Sequence, residues 1–406
     1  MVLSIRTITI LGAGQIGRAV AGLLAATGDF EIRLVDQRPL PAEAIGRTPV
    51  AFEAADLNDD RQLAGALAGA DAVINALPFH MAARAAAFAI SARCHYFDLT
   101  EDVAATRTIR SLAAGAGTVL MPQCGLAPGF IGVVGNELAQ HFEELRELHL
   151  RVGALPRYPS NALKYNLTWS TEGLINEYCN PCDAMVDGRL VQVPALEGLE
   201  SFSLDGTEYE AFNTSGGLGT LPESLAGGAR AIDYKSIRYP GHCATMKLLL
   251  NDLRLRDRRD LLRDVLENAV PATRQDVVVV FATASGMQNG RLVQESFSAR
   301  IHGSEASDGL TAIQLTTASG LCAALDLVRA GKLPARGFVR QEQIALRELL
   351  ANRFGRRLVD DRAGDRARAA AGVSQSTYET ASPANELRER PHLSVQPPAG
   401  LCLAAN

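Results

Sequence analysis

The chain has 406 residues, 40 Lys+Arg against 45 Asp+Glu, a formal net charge of -5 and 47% apolar residues. That length can bury a sizeable core and divides most simply into two domains. Mild acidity gives no general pull toward nucleic acid or an acidic membrane surface, and no run approaches the roughly 18 uninterrupted apolar residues of a spanning helix. The 7 Cys are odd in number and irregularly spaced. They speak against a disulfide framework and for a reducing compartment, with the cytoplasm as the default. The opening residues read as a first strand and not as a signal peptide.

Residues 5–11, IRTITIL, are short, β-branched and nearly uncharged, the pattern of a buried parallel strand. GAGQIG follows at once, then a helical pattern over 16–26, then a second strand, EIRLVD, ending at Asp36. This order turns a generic glycine pattern into a dinucleotide-binding fingerprint. Gly12 permits the tight turn, Gly14 lets the backbone approach a pyrophosphate, and Gly17 lets the helix lie close to the strand. Gln15 and Ile16 open the helix, whose free N–H groups suit phosphate charge. Asp36 is placed to accept hydrogen bonds from ribose hydroxyls and to repel a 2′-phosphate, so NAD is expected over NADP. Arg38 is the nearby cation that would favour the phosphate instead.

The alternation continues with a strand at 51–55, a helix at 59–68 and a strand at 70–78 that ends on Asn75, Leu77 and Pro78. An Ala-rich helix is expected at 80–92, a strand at 95–100 tipped by Asp98 and Thr100, and another at 118–125 tipped by Cys124. In a doubly wound sheet the C-terminal strand ends line the cofactor crevice. Asn75, Leu77, Pro78 and Cys124 are therefore candidate cofactor contacts. Nothing in the sequence supplies Cys124 with a base, so a thiolate nucleophile is not expected there.

A helix over 131–139 leads into a different kind of text. Strand-like alternation at 144–155 is followed by a helix from 171, capped by Ser170 or Thr171. Asp187-Gly188 and Asp205-Gly206 signal hairpin turns. Residues 235–250 run from a strand through Pro240-Gly241 into a helix, and 277–286 pairs with 295–303. A long apolar helix is expected over 311–330 and a last amphipathic helix to about 354. The predicted fold class is α/β: a Rossmann-type doubly wound parallel sheet with a second α+β substrate domain carrying a mixed or antiparallel sheet. Residues 1–130 and 311–355 are assigned to the NAD-binding domain, 131–310 to substrate binding and dimerisation, and 356–406 to a partly disordered tail.

Polar residues gather in the second domain: Tyr165, Asn213, Thr214, Ser215, Lys235, Arg238 and His242. An arginine matches a carboxylate bidentately, and a lysine or histidine can take a proton from an amine. Lys235 and Arg238 read equally well as solvated surface charge. Cys179 and Cys182 form a CxxC without further ligands, so no metal is expected.

The segments ILGAGQIG (10–17), DAVINALPFH (71–80), CGLAPGF (124–130), YNLTWSTEGLINEYCNP (165–181), EAFNTSGGLGTLPES (210–224) and DYKSIRYPGH (233–242) occur in this order. Together they resemble the saccharopine dehydrogenase-like family, and within it the lysine 6-dehydrogenase members. The resemblance implies a two-domain NAD(P)-dependent enzyme acting on an amino acid's C–N bond. Lysine 6-dehydrogenase members oxidise the side-chain amine of L-lysine with NAD, giving ammonia, NADH and an aldehyde that cyclises to piperideine-6-carboxylate. Saccharopine- and opine-type members, the alternative, make or cleave a secondary amine between an amino acid and an oxo acid. A homodimer or larger homo-oligomer is also implied.

Carried onto this chain, the resemblance makes Lys235 or His242 the proton acceptor, and Arg238 with Lys164 the holders of the α-carboxylate. Asp98 would hold an ammonium or position water, while Tyr165, Asn213, Thr214 and Ser215 would orient polar ends. The stretch 197–210, Cys243 and the residues beyond 355 depart from those relatives. A nicotinamide oxidoreductase on an unrelated substrate and a non-enzymatic NAD sensor are the remaining readings.

Overall fold

The computed structural model describes residues 3–40, 49–304, 309–359 and 376–377. The expected tail therefore lies almost wholly outside the described residues. Six parallel strands begin the chain: β1 (Thr7–Leu11), β2 (Glu31–Asp36), β3 (Val50–Ala54), β4 (Ala72–Asn75), β5 (His95–Asp98) and β6 (Val119–Met121). They lie in the order β6-β5-β4-β1-β2-β3. Helices α1 (Gln15–Ala25), α2 (Asp60–Leu67), α3 (Ala82–Ser91) and α4 (Val103–Leu112) make the crossovers. The β-branched, uncharged strands β1 and β4 form the buried centre. Strand order reverses between these two, and in such sheets ligands bind beyond the carboxyl ends at that point.

The second part is built on a long sheet. Its elements are α5 (Phe130–Ala139), β7 (Glu144–Pro156), α6 (Thr171–Cys179), β8 (Cys182–Val186), β9 (Arg189–Val193), β10 (Glu200–Leu204), β11 (Thr207–Asn213), α7 (Leu221–Ser224), β12 (Ala231–Arg238), α8 (His242–Lys247), α9 (Arg259–Ala269), β13 (Asp276–Gln288) and β14 (Arg291–His302). The order is β10-β11-β12-β7-β13-β14, with the β8–β9 hairpin attached to β12. β12 and β7 are parallel and their other main neighbours antiparallel, so the sheet is mixed. The two Asp-Gly turns sit where the sequence places them, between β8 and β9 and between β10 and β11.

The chain then returns. α10 (Ala312–Arg329) begins with a capping box in which Thr311 and Gln314 satisfy each other's backbone groups. It packs on α1 and presses on the exit of β6: a Cβ on Gly320 would stand 2.8 Å from the Gly125 carbonyl. β15 (Gly337–Phe338) then adds to the first sheet in parallel with β6. α11 (Leu346–Ala351) ends before the expected position 354 because the Asn352 side-chain oxygen accepts the Phe354 N–H at 2.9 Å and turns the chain. Among the described residues no helix is long and apolar enough to cross a membrane.

Candidate active site

A cleft of about 440 Å³ opens between the strand ends of the first sheet and the face of the second. Its floor on the first side comes from the glycine turn, the ends of β4 and β5, and residues 125–128. Its far wall comes from β7, α6 and β12, with Ile313 and Thr317 of α10 closing one side.

The glycines differ in what they permit. Gly12 has φ +98°, a left-handed conformation that disfavours any side chain, and a Cβ there would lie 2.8 Å from the Ala76 carbonyl. A Cβ on Gly17 would lie 1.9 Å from the Gly12 carbonyl, so its absence is what lets α1 sit against the turn. A Cβ on Gly14 would meet nothing within 4 Å. Gly14 faces open cleft, and no side chain caps the N-terminus of α1 behind it. A bare helix N-terminus beside free space is what a pyrophosphate needs, so these residues fit a dinucleotide. Bound there, it would supply a hydride acceptor or donor.

Gln15, Ile16, Asn75, Leu77 and Pro78 also line the cleft. The Asn75 side-chain oxygen accepts the Leu77 N–H at 3.3 Å, which shapes the end of β4. Asp36 sits at the tip of β2, where its carboxylate accepts the N–H groups of Ala13 at 2.8 Å and Arg38 at 2.9 Å. Neither Asp36 nor Arg38 reaches the cleft proper. Cys124 does not line it either. Its thiol is buried and donates to the Met121 carbonyl at 3.1 Å, and burial pushes its pKa well up.

On the far wall the residues of β12 alternate. Tyr234, Ser236 and Arg238 face the cleft, while Asp233 and Lys235 face away, as strand geometry requires. Arg238 is 3% exposed. Its guanidinium lies 5.1 Å from the Tyr165 ring centroid and 5.7 Å from that of Tyr178. Its Nε donates to Tyr178 Oη at 2.8 Å. No carboxylate of the described residues is within ion-pair distance of it, so a buried cation faces the cleft with spare donors.

Behind Arg238, Tyr178 Oη stands 3.0 Å from His242 Nε2, and His242 Nδ1 stands 2.8 Å from the Leu163 carbonyl. A carbonyl only accepts, so Nδ1 carries the proton, Nε2 accepts from Tyr178, and the tyrosine oxygen accepts from the arginine. Burial, then the nearby Arg238, lower the His242 pKa to about 3. His242 is thus a neutral support outside the cleft and not a group poised to take a substrate proton.

The other expected residues are also committed. Lys235 pairs with Glu200 at 2.7 Å on the opposite face of the sheet, in a network with Arg151 and Asp233. Asp98 accepts from Tyr96 Oη at 2.7 Å, Gln123 N at 2.9 Å and Thr100 N at 3.0 Å, tying together the ends of β5 and β6. Burial raises its pKa to about 6 against those three bonds. Lys164 is exposed and donates to the Pro240 carbonyl at 2.9 Å. Tyr165 is the platform beneath Arg238. Asn213 donates to the Pro194 carbonyl and Ser215 to the Pro181 carbonyl. Thr214 bonds Ser236 at 2.8 Å and so supports a cleft residue from behind.

What the sequence reading does not pick out is a set of carboxylates. Glu101, Glu172 and Glu177 all line the cleft, with Trp169 beside them. Burial raises Glu177 to about 8, against the pull of Arg238 and with a push from Glu101. Burial raises Glu101 to about 7; a backbone hydrogen bond opposes this and Asp102, Asp98 and Glu172 add to it. The burial of α6 that sets Glu177 apart is a property of the fold and left no mark in the sequence.

The chain matches the saccharopine dehydrogenase NADP binding domain over residues 8–121 and the saccharopine dehydrogenase C-terminal domain over 125–360. It is 22% identical over 298 residues to saccharopine dehydrogenase [NADP(+), L-glutamate-forming] of Pyricularia oryzae, covering 70% of this chain and 65% of that one. It is 21% identical over 196 residues to the mitochondrial alpha-aminoadipic semialdehyde synthase of Bos taurus, covering 46% of this chain and only 21% of that one. The apo histidine-tagged saccharopine dehydrogenase (L-Glu forming) from Saccharomyces cerevisiae shares the fold, with a TM-score of 0.70 and 16% identity over 92% of this chain and 100% of that one. With both halves matched in chain order, and an oxidoreductase fold whose glycine turn fits NAD(P), the chain belongs to the saccharopine dehydrogenase family.

Proposed function

We propose that this chain uses NAD(P) to oxidise, or in reverse to form, the C–N bond of an amino-acid amine. The observation that carries the reading is Arg238: a buried guanidinium, without a carboxylate partner among the described residues, across the cleft from the glycine turn. It suits a substrate carboxylate. The matched relatives, by their names, favour a saccharopine- or opine-type secondary amine joining an amino acid and an oxo acid.

The second reading is the side-chain amine of L-lysine or a close analogue, giving ammonia and a cyclising aldehyde. It is favoured by the lining of the cleft. Three carboxyl side chains that can accept from an amine, and one guanidinium for a carboxylate, line it, which suits one amine and a single carboxylate better than several carboxylates. One spectrophotometric plate at 340 nm separates the two. NADH formation with L-lysine alone, releasing ammonia, supports the lysine reading. Turnover with saccharopine, or NADH oxidation only when an amino acid and an oxo acid are both present, supports the secondary amine. Turnover with none of these overturns the C–N assignment.

In this reading residues 1–130 and 311–355 hold the dinucleotide, and 131–310 bind substrate and carry the contact of a homodimer or larger assembly, which light scattering would test. Asp36 supports NAD over NADP, a ratio of kcat/KM values that the same plate would measure. A cytoplasmic setting is supported by the free thiols of all cysteines among the described residues.

A further inference from the structure

Amine oxidation needs a neutral nitrogen when the hydride leaves, so some group must take its proton. Lys235 is paired on the wrong face of the sheet, both His242 nitrogens are bonded, and Asp98 holds three donors outside the cleft. Glu177 differs from all three. It is 7% exposed, it lines the cleft on the same wall as Arg238, and its carboxylate makes no hydrogen bond or ion pair among the described residues. Its backbone is fixed, because α6 is capped by Ser170 and the Glu177 carbonyl accepts Ser215 N at 3.0 Å.

On the basis of the C–N reading above, we propose that Glu177 is the catalytic residue that takes the proton from the substrate nitrogen. The N–H bond of the substrate ammonium breaks and its proton passes to the Glu177 carboxylate. The hydride leaves the adjacent carbon with its electron pair for the oxidised nicotinamide of NAD(P), and an iminium forms. Water adds to that carbon and loses one proton to solvent. The C–N bond then breaks, the hydroxyl becomes a carbonyl, and the amine departs with the hydroxyl proton and the proton held by Glu177.

The groups that face Glu177 are Arg238 and Tyr234 from β12, Glu101 from the loop after β5, Tyr165 from the segment before α6, Cys182 from β8 and Tyr178 on its own helix. Burial keeps the carboxyl protonated well above the ordinary range, and a base works ionised. The kcat/KM profile should therefore rise with pH across the Glu177 titration.

The test uses the full chain with NAD(P) and L-lysine or saccharopine, whichever the wild type turns over. Glu177→Gln should lower kcat by about 100-fold or more, abolish the rising limb, and leave dinucleotide affinity by fluorescence titration unchanged. Glu177→Asp should keep a limb at a displaced pH, and this variant decides the matter if the glutamine variant does not fold. A wild type that turns over, beside a Glu177→Gln variant with an intact limb and near-normal kcat, overturns the role of Glu177 alone. A wild type that binds dinucleotide but is silent with L-lysine, with saccharopine and with an amino acid and an oxo acid together overturns the C–N reading, and this inference falls with it.

Discussion

Arg238 and Tyr178 are joined by one hydrogen bond, Nε to Oη at 2.8 Å, and that bond sets the direction of every proton in the chain behind the cleft. Because the tyrosine oxygen accepts there, its hydrogen must go to His242, whose own hydrogen must go to Leu163. The guanidinium is thus held from behind by a neutral relay of fixed orientation, its Nη1 also donates to the Ile237 carbonyl at 2.8 Å, and the donors that remain are left for the cleft.

Tyr178→Phe should therefore act on substrate binding through Arg238. It leaves the arginine Nε without an acceptor and His242 Nε2 without a donor in a buried place, a cost of about 1–3 kcal/mol in urea unfolding. The KM for the amino-acid substrate should rise by about tenfold, with dinucleotide affinity unchanged. An unaltered KM would separate the relay from binding.

Arg238→Lys keeps the charge but loses the planar fork and the stacking on Tyr165. We expect kcat/KM to fall by about 2 kcal/mol, roughly 30-fold, mostly through KM. Arg238→Ala should be worse. Steady-state kinetics of either variant at wild-type level would remove the carboxylate role.

The glycine turn gives a contrast between two glycines three positions apart. Gly17→Ala pushes a methyl into the Gly12 carbonyl at 1.9 Å, so the protein itself must distort, and thermal unfolding should show a loss of about 3 kcal/mol. Gly14→Ala meets no protein atom. It should keep the melting temperature and lose dinucleotide affinity about tenfold, because the methyl occupies ligand space. Equal losses of stability in both would contradict that division.

Asp98 should leave a signature in stability against pH. Its folded pKa is raised, by burial, to about 6 from an ordinary 3.8. The folded state binds the proton more tightly, so the stabilisation is fully present below the unfolded value and is lost as pH rises through about 6. Over pH 4–6 the wild type should lose on the order of 3 kcal/mol relative to Asp98→Asn. Urea unfolding at several pH values measures the difference, and parallel pH dependences for the two proteins would refute it.

Much of the first sheet was legible because it obeys local rules. Uncharged β-branched runs became β1 and β4, and the glycine spacing became the turn before α1. Hairpins marked by Asp187-Gly188 and Asp205-Gly206 were legible for the same reason. The site was read less well. Lys235 and Arg238 lie three apart on one strand, and an odd separation puts them on opposite faces; the sequence contained that answer. Glu177 was harder, since a lone glutamate in a helix reads as surface, and only the fold buries it, with α6 packed on α9 and Glu177 set toward Arg238 and Tyr234 of β12. His242 gave no sign of being a support, because its partners Tyr178 and Leu163 stand 64 and 79 residues away along the chain.

The return of the chain has a consequence for synthesis. β6 gains its outer neighbour only when residues 337–338 arrive, and the α1 surface under α10 stays bare until residues 312–329 exist. The half that emerges first from the ribosome is therefore finished last, carrying an open strand edge and an uncovered apolar face while the second sheet is made. A nascent chain halted near residue 310 should be a good client for a holding chaperone, and release should follow the addition of α10 and β15.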